Sequence, residues 1–307
     1  MKVHYKLPIL PVFKNAVITI GTFDGVHMGH RQVLARLKQE SVNANGESVL
    51  ITFDPHPRKI IQTASQPIRL INTLDEKVEL LEEFGIDHLV IIEFTPAFAD
   101  QTAEEYIRDF LIRQFRPHTI IIGYDHRFGK NRLGDYKLLE KMADVYQYQL
   151  KEISAHELNE IKISSTRIRE ALMQGNLDDA NRLLGYIFFF SGEVIDGEKI
   201  GRQLGYPTAN LKLNDAEKII PGDGIYAVYA KFENTKYKGM MSIGFRPTMN
   251  GTKRVVEINL FDFNHHIYGK MLKVYVKKYL RAEVKFNSTE ELVKQMDEDK
   301  KASLKIL

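Results

Sequence analysis

Between residues 16 and 153, short apolar runs alternate with stretches whose apolar positions recur every three to four residues. The runs lie at 16–20, 48–53, 88–94, 118–122 and, more weakly, 148–153. Segments such as Leu89-Val90-Ile91-Ile92 and Thr119-Ile120-Ile121-Ile122 are apolar at successive positions, so both faces of each strand need cover. That is the pattern of a parallel sheet flanked by helices. Thr73-Leu74-Asp75-Glu76 and Thr102-Ala103-Glu104-Glu105 each place a glutamate three residues after a hydroxyl, the spacing of a reciprocal helix cap. The pattern predicts an α/β domain built on a doubly wound parallel sheet.

Near Gly185 the period changes. Short alternating segments at 188–195, 206–211, 224–232, 239–243, 254–261 and 270–276 are separated by glycine and proline, which predicts a small β-barrel. A last helix opens at Ser288-Thr289-Glu290-Glu291, with Leu292, Val293 and Met296 on one face. A short helix at 177–184 marks the boundary, giving expected domains 1–184 and 185–307.

Composition narrows the class. The 307 residues are 44% hydrophobic, enough for two cores. Cysteine is absent, which excludes disulfides and thiolate metal sites and fits a reducing compartment. The N-terminus lacks the apolar core of a signal peptide and no apolar run reaches membrane-spanning length. The expectation is a cytoplasmic protein without a membrane partner. A net charge of +3 arises from intermixed signs, so no nucleic-acid partner is expected either. The oligomeric state stays open.

The richest chemistry follows the first apolar run: Gly21-Thr22-Phe23-Asp24-Gly25-Val26-His27-Met28-Gly29-His30, then a helical pattern with Val33, Leu34 and Leu37. This reads as strand, tight turn, helix. A helix N-terminus at the carboxyl end of a strand offers free N–H groups to phosphate. His27 and His30 share one side of the first turn, and Gly29 between them removes a side chain. Two histidines at this spacing also fit surface residues or half of a metal site. Later loops add Phe53-Asp54-Pro55-His56-Pro57-Arg58 and Gly123-Tyr124-Asp125-His126-Arg127-Phe128-Gly129, whose mixed aromatic and basic residues suit a planar ring bearing a phosphate. At Ser164-Ser165-Thr166-Arg167-Ile168-Arg169 two arginines sit at a helix start, where the dipole disfavours cations; an arriving anion would resolve this, as would simple solvation.

In the second half, residues 192–199 approximate a phosphate-binding loop. The lysine falls one residue late and no helix is expected after it, so that assignment is rejected. In Gly201-Arg202-Gln203-Leu204-Gly205-Tyr206-Pro207-Thr208-Ala209-Asn210, the oxygens of Thr208 and Asn210 fall at i, i+2 on an expected strand and suit Mg²⁺. Glu257 alternates with apolar Val256 and Ile258, and by pattern alone such a residue is most often a solvated strand position.

These fragments, in this order and spacing, resemble the bacterial bifunctional riboflavin kinase/FMN adenylyltransferase family, also called FAD synthetase. The resemblance rests on residues 21–30, 53–57, 123–129 and 164–169 in the first half. In the second half it rests on 201–210, Pro221-Gly222-Asp223-Gly224-Ile225-Tyr226-Ala227, 243–248 and 256–257. It implies a nucleotidylyltransferase domain that makes FAD and pyrophosphate from FMN and ATP, and a flavokinase barrel that makes FMN from riboflavin and ATP. It further implies phosphate-handling catalytic roles for His27, His30 and Arg169, and a catalytic carboxylate at Glu257. ATP binding falls to Gly21, Phe23, Asp24, Gly29, Ser164, Ser165, Thr166, Gly201 and Arg202. Flavin contacts fall to Phe53, Pro55, Pro57, Asp125 and Phe128, and Mg²⁺ to Thr208 and Asn210. His126 and Arg31 depart from the family pattern. The competing readings are a transferase for another phosphate monoester, and a flavin- or RNA-sensing module without turnover.

Overall fold

The computed structural model describes residues 1–5, 10–61, 67–154, 163–197, 201, 204–248 and 251–307. It divides into two compact units: Met1–Ile68 with Leu74–Ser164, and Arg69–Thr73 with Ser165–Leu307.

The first unit is built on six parallel strands: β1 (Lys2–His4), β2 (Val17–Ile20), β3 (Ser48–Asp54), β4 (His88–Glu93), β5 (Thr119–Gly123) and β6 (Gln149–Ile153). Their order across the sheet is β1-β4-β3-β2-β5-β6. As the unbroken apolar runs predict, Val17, Ile18, Val49, Leu50, Ile51, Leu89, Val90, Ile120 and Ile121 are fully buried. Helix α1 (Met28–Asn43) follows β2, α2 (Leu74–Glu82) precedes β4, and α3 (Tyr136–Tyr146) joins β5 to β6. The cap at Thr102 forms both ways: Glu105 N–H donates to Thr102 Oγ1 at 3.2 Å, and Thr102 N–H donates to Glu105 Oε2 at 2.8 Å. The helix that it starts widens into a π-helix over Tyr106–Ile112, burying Tyr106, Ile107, Phe110 and Leu111 on one side.

Strand β2 pairs with β3 on one side and β5 on the other, so the sheet changes direction beside β2. In an open α/β sheet the crevice at the carboxyl ends of such a strand pair binds the ligand. The loops after β2 and β5, carrying residues 21–30 and 123–129, flank that point.

The second unit closes six antiparallel strands into a barrel: β7 (Phe189–Ile195), β8 (Ala209–Leu213), β9 (Gly224–Phe232), β10 (Thr235–Thr248), β11 (Gly251–Leu260) and β12 (Met271–Arg281), in the order β10-β11-β8-β7-β12-β9. Helices α4 (Ser165–Met173) and α5 (Leu177–Leu184) precede the barrel in this unit, and α6 (Thr289–Ile306) ends it. Asn181 of α5 ties to the barrel: its Oδ1 accepts from Phe188 N–H at 2.7 Å and its Nδ2 donates to Val276 O at 3.2 Å. The cap of α6 differs from the expected box. Glu291 N–H does donate to Ser288 Oγ at 3.2 Å, but the Glu291 carboxylate accepts from Asn287 N–H rather than from Ser288.

A five-residue segment from the first half of the sequence, Arg69–Thr73, belongs to the barrel unit. Leu70 N–H donates to Glu217 O and Ile219 N–H donates to Leu70 O, both at 2.8 Å. Lys218, almost fully buried, donates from Nζ to Ile71 O at 2.5 Å and lies 4.7 Å above the Phe188 ring. Among the described residues no helix is long and apolar enough to cross a membrane.

Candidate functional site

In the first unit the chain leaves β2 through a turn that only special residues tolerate. Phe23, Gly25 and Val26 all have positive φ, at 47°, 89° and 35°. Two donors fix this turn by its Thr22 carbonyl: Lys77 Nζ of α2 at 2.8 Å and Thr52 Oγ1 of β3 at 3.1 Å. Gly21 has no room for a side chain, since a Cβ there would lie 2.9 Å from Cε2 of the Phe23 ring. Phe23 itself is buried against His30, with ring centroids 4.8 Å apart, and Asp24 is buried beside it in the turn.

His27 is the N-cap of α1. Its Nδ1 accepts from His30 N–H at 3.3 Å, which places the imidazole proton on Nε2. The two rings stack at 3.6 Å between centroids and 14° between planes. His30 Nδ1 is buried without a hydrogen-bond partner among the described residues. Burial first, then the neighbouring His27 and Lys77, hold the His30 pKa well below the usual imidazole value, so His30 is neutral at physiological pH. The role of Gly29 is internal: a Cβ there would sit 3.3 Å from the His27 ring. The pair of rings is therefore presented by a bare helix start, without acidic residues in the first turn.

The expected flavin residues divide. Phe53 and Phe128 are both buried in one aromatic cluster. Phe53 packs on Phe94 and Phe98, and Phe128 stacks on Tyr106 with centroids 5.0 Å apart. Pro55 and Pro57 are half-buried after β3, and Asp125 is exposed after β5. Beside Asp125, burial lowers the His126 pKa to about 4, with the Asp125 carboxylate opposing that shift and Arg132 adding to it.

Ser164 closes the first unit, whereas Ser165, Thr166 and Arg169 open α4 in the second. The two arginines find protein acceptors. Arg167 Nη2 donates to Asp179 Oδ2 at 3.3 Å, and Arg169 Nε donates to the Arg69 carbonyl at 2.7 Å. Ser164 and Thr166 are exposed.

On the barrel, β11 sets Glu257 directly opposite Asn210 of β8 and Ser242 of β10. Cross-strand partners share a face, so these three side chains stand together outside the barrel while Val256 and Ile258 fill its core. Thr208 precedes β8 instead of lying within it as the sequence predicts, and a Cβ on Gly201 would come 3.5 Å from its Oγ1. The Asn210 amide occupies space that only a glycine at 197 leaves open, 2.0 Å from where a Cβ would stand. Arg202, and Glu198 and Lys199 of the rejected phosphate loop, lie outside the described residues.

Sequence reasoning missed three participants. Arg246 bridges Glu257 at 3.4 Å and Glu283 at 2.9 Å, and donates to Ser242 Oγ at 3.2 Å. Burial disfavours its charge, but the Glu283 and Glu257 carboxylates outweigh that and raise its pKa. Glu283 follows β12 and gave no motif. Lys77 of α2 belongs to no motif; it is buried, and its pKa is lowered by burial with partial compensation from Asp24 and Asp54.

Comparison with known proteins covers both halves. The FAD synthetase family model matches residues 10–167, and the riboflavin kinase model matches residues 184–307. The bifunctional riboflavin kinase/FMN adenylyltransferase of Buchnera aphidicola subsp. Schizaphis graminum is 39% identical over 93% of this chain and 92% of its own. That of Escherichia coli K12 is 37% identical over 93% of this chain and 91% of its own. A crystal structure described as a macrolide-efflux protein from Streptococcus pneumoniae superposes with a TM-score of 0.87 at 30% identity, covering 99% of each chain. By both family models and these relatives, the chain belongs to the bifunctional riboflavin kinase/FMN adenylyltransferase family, with the FAD synthetase module first and the riboflavin kinase module second.

Proposed function

We propose that the two transferase activities divide between the two domains, residues 185–307 phosphorylating riboflavin and residues 1–184 adenylylating FMN. The observation that supports the first assignment is the cross-strand trio of Glu257, Asn210 and Ser242. Glu257 takes the proton of the ribityl 5′-hydroxyl as that oxygen attacks the γ-phosphorus of ATP; the O–P bond to the β-phosphate breaks, and FMN and ADP leave. Arg246 orients the carboxylate. The neutral oxygens of Thr208 and Asn210, with Asn210 seated against Gly197, fit Mg²⁺, which prefers hard oxygen ligands and keeps waters and phosphates in its remaining positions. When bound, that ion supplies neutralisation of charge on the transferring phosphoryl group. Gly201 and Arg202 are assigned to ATP on the resemblance of their sequence.

For the second reaction the supporting observation is the His27–His30 pair at the start of α1, beside the switch point of the sheet. An oxygen of the FMN phosphate attacks the α-phosphorus of ATP, and pyrophosphate leaves with the electrons of the broken bond. No protein nucleophile is needed. What the protein supplies is alignment of two anions and hydrogen bonds to the charge on the α-phosphate. The Nε2–H of His27, His30 and the bare N-terminus of α1 supply these donors, with Gly21, Phe23, Asp24 and Gly29 shaping the turn. Ser164, Ser165, Thr166 and Arg169 are assigned to ATP on sequence resemblance. Phe53, Pro55, Pro57, Asp125 and Phe128 are assigned to the flavin, the two phenylalanines as its buried support. The efflux activity named for the Streptococcus pneumoniae structure is not carried over, because the family models matching both halves of this chain are those of FAD synthetase and riboflavin kinase.

One chromatographic experiment tests the division. Riboflavin, ATP and Mg²⁺ incubated with the protein give FMN and then FAD. His30→Ala lowers FAD formation about 100-fold or more, the cost of one lost donor to a developing charge, and spares FMN formation. Glu257→Ala stops FMN formation and spares FAD formation from added FMN. Loss of both products in either folded variant would refute the assignment.

A further inference from the structure

Lys77 is a buried cation that the two reactions above leave unused. It sits on α2 with 7% of its surface exposed. Burying an ammonium is strongly unfavourable unless hydrogen bonds and opposite charges compensate it. The compensation here is the turn after β2. Lys77 Nζ donates to Thr22 O at 2.8 Å and lies 3.5 Å from Thr52 Oγ1, and the carboxylates of Asp24 and Asp54 stabilise its charge. Every one of these groups stands at the carboxyl end of β2 or β3. The residue whose carbonyl it holds precedes the positive-φ positions Phe23, Gly25 and Val26, which lead into the cap residue His27.

We infer that Lys77 is a positioning residue for adenylyl transfer, anchoring the Thr22 carbonyl so that the strained turn presents His27 and His30, and placing a fixed positive charge beside the imidazole pair. The inference rests on the adenylyltransferase reading of that pair. A hydrogen bond to a charged donor holds a carbonyl more firmly than a neutral one does, and strained backbone persists only where its surroundings over-determine it. The charge acts on His30 in a defined direction. The groups that face His30 are His27 from the N-cap of α1 and Lys77 from α2, and those that face Lys77 are Asp24 from the turn and Asp54 from β3. Removing the ammonium while keeping the stem relieves His30 of a positive neighbour, so its pKa rises toward that of free imidazole.

The test uses the full chain with Lys77→Met and Lys77→Arg, and follows FMN and FAD formation separately. The expected result for Lys77→Met is a fall in kcat for FAD formation of about 100-fold, the scale of a small misplacement of reacting groups, with riboflavin phosphorylation unchanged. The acid limb of the FAD-forming pH profile moves to higher pH. Lys77→Arg, which keeps the charge, restores the position of the acid limb. A merely structural lysine predicts fewer active molecules with the acid limb in place, and that result overturns the inference. So does unchanged kcat in Lys77→Met. If His30→Ala leaves FAD formation intact in parallel, the adenylyltransferase reading itself has failed rather than the role of Lys77.

Discussion

At the scale of single residues, the turn after β2 is held by contacts one atom deep. Gly29 is the sharpest case. An added Cβ would stand 3.3 Å from both Cε1 and Nδ1 of His27, closer than nearly all real contacts, and the ring can yield only by giving up the N–H of His30 or its stacking on that ring. Gly29→Ala is therefore expected to lower FAD formation by about 10- to 100-fold and to leave riboflavin phosphorylation unchanged, as steady-state rates from FMN and from riboflavin would show. The histidines and Gly29 were legible in the sequence because their relation is local, three residues along one turn. The physical role of Gly29 was not, since a bare backbone facing phosphate and a gap beside an imidazole give the same letter. Lys77 and Arg246 escaped for a different reason: a lone cation in a helix or strand reads as solvated until the chain folds Thr22 or Glu257 against it.

Elements were easiest to foresee where one period governs them. The unbroken apolar runs appear as β2 to β5 within a residue or two, and α5 spans Leu177–Leu184 as expected. Where tertiary pairing extends a strand beyond its apolar stretch, the sequence falls short. Strand β10 runs over Thr235–Thr248 and β12 over Met271–Arg281, because their polar outer positions are paired by the closed barrel. The three-residue β1 has no pattern of its own and exists by pairing with β4 at Lys2–His4. The attachment of α6 is likewise invisible to periodicity. Arg281 at the end of β12 forks onto Asp299 of α6, with Nε donating at 2.9 Å and Nη2 at 2.6 Å, and Gln295 adds a third bond to the same nearly buried carboxylate. Tyr206 donates to Asp297, two residues earlier on the same helix. Asp299→Ala leaves the guanidinium without its planar partner. The expected cost is about 2 to 3 kcal/mol, toward the lower end for such pairs because Arg281 keeps some solvent contact. Thermal denaturation followed by loss of riboflavin phosphorylation would register it.

For the whole molecule, order along the chain and membership of a folded unit part company. Patterning places the change of domain near residue 184, and the family models meet between 167 and 184. The compact units divide at Ser164, and the second reaches back for Arg69–Thr73. No sequence rule marks that segment, for Arg69-Leu70-Ile71-Asn72-Thr73 is too short to show a period and its partners lie far along the chain. Its bonds are nevertheless those of a built-in part: the backbone of Leu70 exchanges hydrogen bonds with Glu217 and Ile219, Asn72 accepts from the Tyr186 hydroxyl at 3.2 Å, and Ile71 is fully buried. The consequence is a mutation whose effect falls in the other half of the sequence. Ile71→Ala opens a cavity in the barrel unit, and truncations of this kind cost about 2 to 5 kcal/mol. The riboflavin kinase activity is therefore expected to fail on heating several degrees earlier than in the unaltered chain, although residue 71 lies within the stretch matched by the FAD synthetase model. FAD formation from added FMN is lost no earlier than riboflavin phosphorylation, because Ile71 belongs to the core of the unit that holds the barrel, and any loss comes through Ser165, Thr166 and Arg169, which that unit also carries. Parallel heating curves for the two activities of Ile71→Ala separate the outcomes: an earlier loss of FAD formation with riboflavin phosphorylation intact would return the segment to the unit in which its sequence neighbours fold.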